Sequence, residues 1–189
     1  MLRAVLAAVV IALVAGVPSS FADTIYLRLS DDMGHSVTIS DASGDPLNSS
    51  TTPGVITYKG SIGDWNIDVS TGKGSLDLGP GILGLKSVNT SSSGTTSTLT
   101  IAFTQTDMSD VFPGWQLNFG GTAKNADNVS YSAYEDNSNT QFGMGPSATL
   151  LGTVGPFFTS SFSGSATYDP ITLNNPYSLT QVINVTGLG

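Results

Sequence analysis

Cysteine is absent, histidine occurs once as His35, and a single glutamate, Glu135, stands among 14 acidic residues. Without Cys there is no disulfide, no thiol nucleophile and no lipid attachment of the lipoprotein kind. With no Cys and one His, a zinc site lacks its usual ligands. Cationic residues are also scarce, 6 Lys+Arg against 14 Asp+Glu, for a net charge of −8. A chain this acidic repels phosphate backbones and anionic headgroups, which excludes nucleic acid and the membrane surface as partners. Charged residues make up only 11% of the chain, so solubility rests on Ser, Thr and Asn. No apolar run reaches the ~20 residues of a membrane-spanning helix. After the first apolar run no stripe at helical spacing appears either.

That first run, Ala4 to Val17, follows Arg3 and precedes Pro18. Its length suits the core of a secretory signal, and Ser20-Phe21-Ala22 places small residues at the −3 and −1 cleavage positions. Residues 1–22 are therefore read as a signal peptide, cleaved after Ala22, with a mature domain over 23–189. The product is expected outside the cell or at its surface, with no membrane insertion after cleavage. Exported eukaryotic domains often carry disulfides, so zero Cys points to a bacterial product. The 167 mature residues suit one domain, large enough to bury a core without covalent staples.

What is plentiful is Gly, at 22 residues, together with Thr, Ser, Val, Ile and aromatics. That mixture favours strands joined by tight turns. Alternation of period two recurs along the chain. Ile25, Leu27 and Leu29 alternate with Tyr26 and Arg28, and Val37 and Ile39 flank Thr38. Val55 to Tyr58 reads as a short strand stopped near Gly60. Trp65, Ile67 and Val69 share a face, as do Leu99, Ile101 and Phe103, then Trp115, Leu117 and Phe119, then Val129, Tyr131 and Ala133. Leu85 to Asn89, Ala148 to Thr153, Phe158 to Tyr168 and Tyr177 to Thr186 are also strand-like, and Glu135 to Asn139 reads as a polar loop. Nine or ten strands with apolar and hydroxyl-rich faces predict an all-β fold, a two-sheet antiparallel sandwich of Greek-key or jelly-roll type. A closed β-barrel is the alternative.

The segments Leu85 to Gly94, Leu99 to Asp107, Tyr177 to Val182 and Val37 to Asp41 resemble a pattern common in uncharacterised secreted bacterial all-β proteins, of the kind that often carry a PEP-CTERM sorting signal. The resemblance implies an exported β domain with no assigned activity and no catalytic residues to carry over. In that family a Pro-Glu-Pro motif, an apolar helix and a basic cluster follow the β domain. This chain ends Thr186-Gly187-Leu188-Gly189 without them. Release from the cell, truncation and divergence all stay open.

Templates for catalysis find little support. His35 sits in a turn-like Asp31-Asp32-Met33-Gly34-His35, and no Gly-x-Ser-x-Gly elbow occurs. Asp64 with Asp68 and Asp107 with Asp110 are the carboxylate pairs open to a glycosidase, but nothing marks a cleft beside them. No catalytic residue and no organic cofactor is expected. Oxygen-rich turns could hold a structural Ca²⁺, with Asp31, Asp32, Asp41, Asp45, Glu135 and Asp136 as the candidate ligands. Tyr26, Tyr58, Tyr134 and Tyr168 are the candidates for stacking on sugar rings. The expected function is a non-catalytic secreted bacterial surface or extracellular-matrix-type protein, with a carbohydrate-binding β-sandwich module as the alternative. Extracellular polysaccharide or other surface proteins are the expected partners.

Overall fold

The alternation resolves into eleven strands in the structure, a computed structural model that describes residues 24–42, 44–74, 83–92, 97–109, 114–122, 126–169 and 172–187. They are β1 (Ile25–Asp31), β2 (Ser36–Ser40), β3 (Val55–Ile62), β4 (Trp65–Lys73), β5 (Gly84–Ser92) and β6 (Ser97–Met108). β7 (Trp115–Thr122), β8 (Ala126–Asp136), β9 (Ala148–Phe157), β10 (Ser161–Tyr168) and β11 (Tyr177–Gly187) complete the set. No helix occurs among the described residues.

The largest sheet runs β2-β1-β6-β11-β8-β9, with every pair antiparallel. Its inner face carries the expected apolar sets. Leu29, Ile101, Ile183, Tyr131 and Val154 form one continuous cross-strand row of it. These side chains are buried because alternation turns each toward the second layer. That layer consists of a three-stranded sheet, β3-β4-β5, and the pair β7-β10. Phe103 of β6 packs on the backbone at Gly72 of β4. Phe119 of β7 stacks on Tyr131 of β8 with centroids 5.1 Å apart, and Phe157 of β9 stacks on Phe162 of β10 at 5.0 Å. The result is an antiparallel β-sandwich whose sheets do not close into a barrel. Its chain switches layers between β2 and β3, β5 and β6, β6 and β7, β7 and β8, β9 and β10, and β10 and β11.

Several boundaries differ from the sequence expectation. β3 continues through Gly60 to Ile62, because the missing side chain at Gly60 leaves room for the Tyr58 ring. β5 reaches Ser92, three residues beyond the expected end at Asn89. β8 includes Glu135 and Asp136, which are strand residues rather than loop. The reason is register: Glu135 continues the phase of Val129, Tyr131 and Ala133 and pairs with Leu179 on β11 and Thr149 on β9. The expected signal peptide, residues 1–22, and Asp110 lie outside the described residues.

Candidate functional site

The acidic turns build the fold before they can bind anything. Asp41 closes the end of β2 by accepting the Ile25 N–H at 3.0 Å on Oδ1 and the Gly54 N–H at 3.0 Å on Oδ2. Asp45 accepts the Ser40 N–H at 2.7 Å and the Leu47 N–H at 2.9 Å. Burial pushes the Asp45 carboxyl up, but the Ser40 and Leu47 N–H groups outweigh it and hold it below the usual carboxylate range. Asp31 accepts the His35 N–H at 2.8 Å and contacts His35 Nδ1 at 2.7 Å across the β1–β2 hairpin. Here too burial raises the carboxyl while the His35 contacts lower it further, for a net depression. The Asp31 side chain is 2% exposed and that of His35 60%. Gly63, at φ 50°, lies against this pair: a Cβ there would fall 2.3 Å from the Asp31 carboxylate. Asp32 is exposed beside it.

The expected calcium ligands are thus spread apart: Asp31, Asp41 and Asp45 sit in separate turns engaged by backbone donors, Asp32 is exposed, and Glu135 and Asp136 lie on β8. Among the described residues no group of three or more His, Cys, Asp or Glu comes together. Glu135 and Asp136 point to opposite faces of the large sheet, so they do not act as a pair. Glu135 is 0% exposed on the inner face, and neither of its oxygens has a hydrogen-bond partner. Burial first, and the Asp136 charge second, push its carboxyl up to about 7. Asp136, 1% exposed on the outer face, accepts the Ser138 N–H at 2.9 Å. Burial raises its carboxyl, yet hydrogen bonds from Ser138 and Thr140 hold it below the ordinary value.

The tyrosines do not form one line. Tyr58 is 7% exposed and belongs to the core, which corrects its reading as a stacking residue. It shares the phase of the buried Ile56 and Ile62 on β3, so plain alternation turns it inward. Tyr168 of β10 is half-buried against the core, its register partner being Trp115. Tyr26 and Tyr134 do share a row on the outer face of the large sheet, in the order Tyr26, Thr104, Thr180, Tyr134 and Leu150. Three strand spacings separate the two tyrosines, about 14 Å.

Sequence reasoning missed what lies over that row. The β8–β9 loop, residues 137–147, leaves β8 and crosses β11 and β6 to reach β1. Phe142 meets Tyr26 edge-on at 6.4 Å, and the Arg28 guanidinium lies 4.4 Å above the Phe142 ring. Ser178 Oγ donates to the Thr140 carbonyl at 2.8 Å. Asn139 and Asp107 exchange two hydrogen bonds, Asp107 N–H to Asn139 Oδ1 and Asn139 Nδ2 to Asp107 Oδ1, both 2.8 Å. Thr104 and Thr180 beneath lose all solvent contact and bond each other at 2.9 Å.

Beyond the loop the outer face is open and almost uncharged. Thr100 donates to Asn184 at 2.9 Å, Thr98 and Thr186 meet at 3.1 Å, and Ser132 and Thr153 meet at 3.1 Å. Ser30 and Ser130 continue the same row as Thr100 and Asn184. Arg28 is the single charged residue among these outward positions of β1, β6, β11 and β8 short of Asp136, and its guanidinium is committed to Phe142. A second polar surface is a shallow, open groove of about 470 Å³ on the outer face of β3-β4-β5, lined by Lys59, Ser61, Asn66, Asp68, Thr90 and Ser91. Compared with known proteins, the chain matches no family model, no curated protein and no solved structure.

Proposed function

We propose that this chain is an exported, non-catalytic bacterial β-sandwich that works at the cell surface or in the extracellular matrix by binding neutral polysaccharide. The observation that carries this reading is the outer face of the large sheet. In an acidic protein, it is a face of Thr, Ser and Asn around the buried Ala102 and Val182, and its one cation is sequestered on an aromatic ring. A neutral hydroxyl polymer meets such a face without desolvating a charge, which is the costly part of polar burial. The non-catalytic part of the reading draws on the carboxylates of Asp31, Asp41, Asp45 and Asp136, which serve backbone donors in their own turns. The likeness to secreted bacterial β-proteins and the signal-like first 22 residues point to the same place of work.

Affinity electrophoresis through gels containing neutral glucans, mannans or xylans tests the proposal. Retardation is expected to persist at high salt, because uncharged contacts are not screened. It is expected to weaken in the double variant Thr100→Val/Asn184→Leu, which keeps the shape of the face and removes two polar positions. Unretarded migration in every gel would overturn the reading.

A further inference from the structure

We infer that the β8–β9 loop is a pH-operated clasp, held shut while the buried carboxyl of Glu135 is neutral and released when that carboxyl ionises. The inference does not depend on what the outer face binds.

Three observations carry it. First, Glu135 is the fully buried penultimate residue of β8, two residues before the loop begins, with no donor to either oxygen. A buried carboxylate without donors or a counter-charge is not tolerated, so the folded state holds the acid. Second, neither β7 nor the neighbouring strands of the large sheet supply a cation. Leu179 of β11 and Thr149 of β9 flank it, and Gln105 of β6 lies one strand beyond Leu179. None of β6, β7, β8, β9 or β11 carries Lys, Arg or His. The titratable groups at this end are Asp136 next in sequence, Asp107 on β6, Tyr134 on β8 and Tyr177 on β11. None of them brings positive charge. Third, the clasp is strained. Asp107 (φ 61°), Asn139 (φ 54°) and Phe142 (φ 55°) are the non-glycine residues with left-handed backbone among those described, and all three belong to it. Such strain persists only while surrounding contacts over-determine it.

The direct route for water to an ionised Glu135 is fraying of the β8–β9 end, which is where the loop is rooted. Burial pushes the Glu135 carboxyl up to about 7, which places the change near neutrality. Opening would uncover Thr104, Thr180 and the Tyr26–Phe142 contact.

Amide hydrogen exchange on the purified protein tests this, read at Asp107, Asn139 and Gly143, whose N–H groups are hydrogen-bonded within the clasp. After correction for intrinsic rates, their protection should fall about tenfold or more between about pH 5.5 and about pH 8.5, while Leu99 to Phe103 stays protected. Glu135→Gln should remain closed at both values, and Asp136→Asn should keep the response. Asn139→Ala should open the clasp at the lower pH with the core intact. Equal clasp protection in the unaltered protein at the two pH values would overturn the proposal. So would a response that survives Glu135→Gln or vanishes only in Asp136→Asn. Should Glu135→Gln fail to fold, the unaltered protein and Asp136→Asn decide the matter alone.

Discussion

Individual acids divide into two kinds, and their opposite pKa displacements fix how stability depends on pH. Asp31, Asp45 and Asp136 sit below the ordinary carboxylate value because protein donors favour the charged form. Their contribution is present above about pH 4 and is lost as pH falls through their lowered values. Glu135 is raised to about 7, so its contribution is present below its unfolded value near 4.5 and is lost as pH climbs to about 7. Thermal melts should therefore show greatest stability on the acid side of neutrality, with the decline toward pH 8 abolished in Glu135→Gln. That variant should also be more stable than the parent at about pH 8, since it removes an uncompensated buried charge. At Gly63 the left-handed backbone and the nearby Asp31 carboxylate act together. Gly63→Ala should cost about 1–3 kcal/mol, measured by denaturant unfolding.

At the scale of elements, the strands with clean alternation were legible from sequence. Leu99, Ile101 and Phe103 on β6 and Ile25, Leu27 and Leu29 on β1 are all buried as their phase required. Two places escaped the reading although alternation held. Tyr58 lies inside on the phase of Ile56 and Ile62, and the polarity of Glu135 and Asp136 hid their continuation of β8. The phase of Val129, Tyr131 and Ala133 was the signal that could have found Glu135. The clasp left no local mark at all, because Asn139 finds Asp107 across 32 residues and Phe142 finds Tyr26 only through the folded sheet. Edges follow the same logic of local cues: β9 carries Gly155-Pro156, which interrupts its outward ladder and discourages pairing with another chain. Phe119 touches Tyr131, Phe157 and Phe162 and so ties β7-β10 to the large sheet. Phe119→Ala should cost about 3–5 kcal/mol in a chemical melt if the two layers unfold together.

For the whole molecule, the sandwich sorts its chemistry by location. Most acids with described side chains lie at hairpins and strand ends, apolar side chains fill the space between layers, and uncharged hydroxyls cover the broad face of the large sheet. Chain-distant strands β1, β6, β11 and β8 meet side by side in that sheet, so folding must close long loops first. Refolding in the millisecond-to-second range is expected by stopped-flow Trp fluorescence. The division also separates where the protein is held together from where it is proposed to act. Binding titrations with neutral polysaccharide, comparing the unaltered protein with Thr100→Val/Asn184→Leu at high salt, test that separation most directly. The account predicts salt-resistant binding that drops about tenfold or more in the double variant while its melting temperature stays close to the parent's. Binding that is absent, or that is unchanged by altering this face, would contradict it.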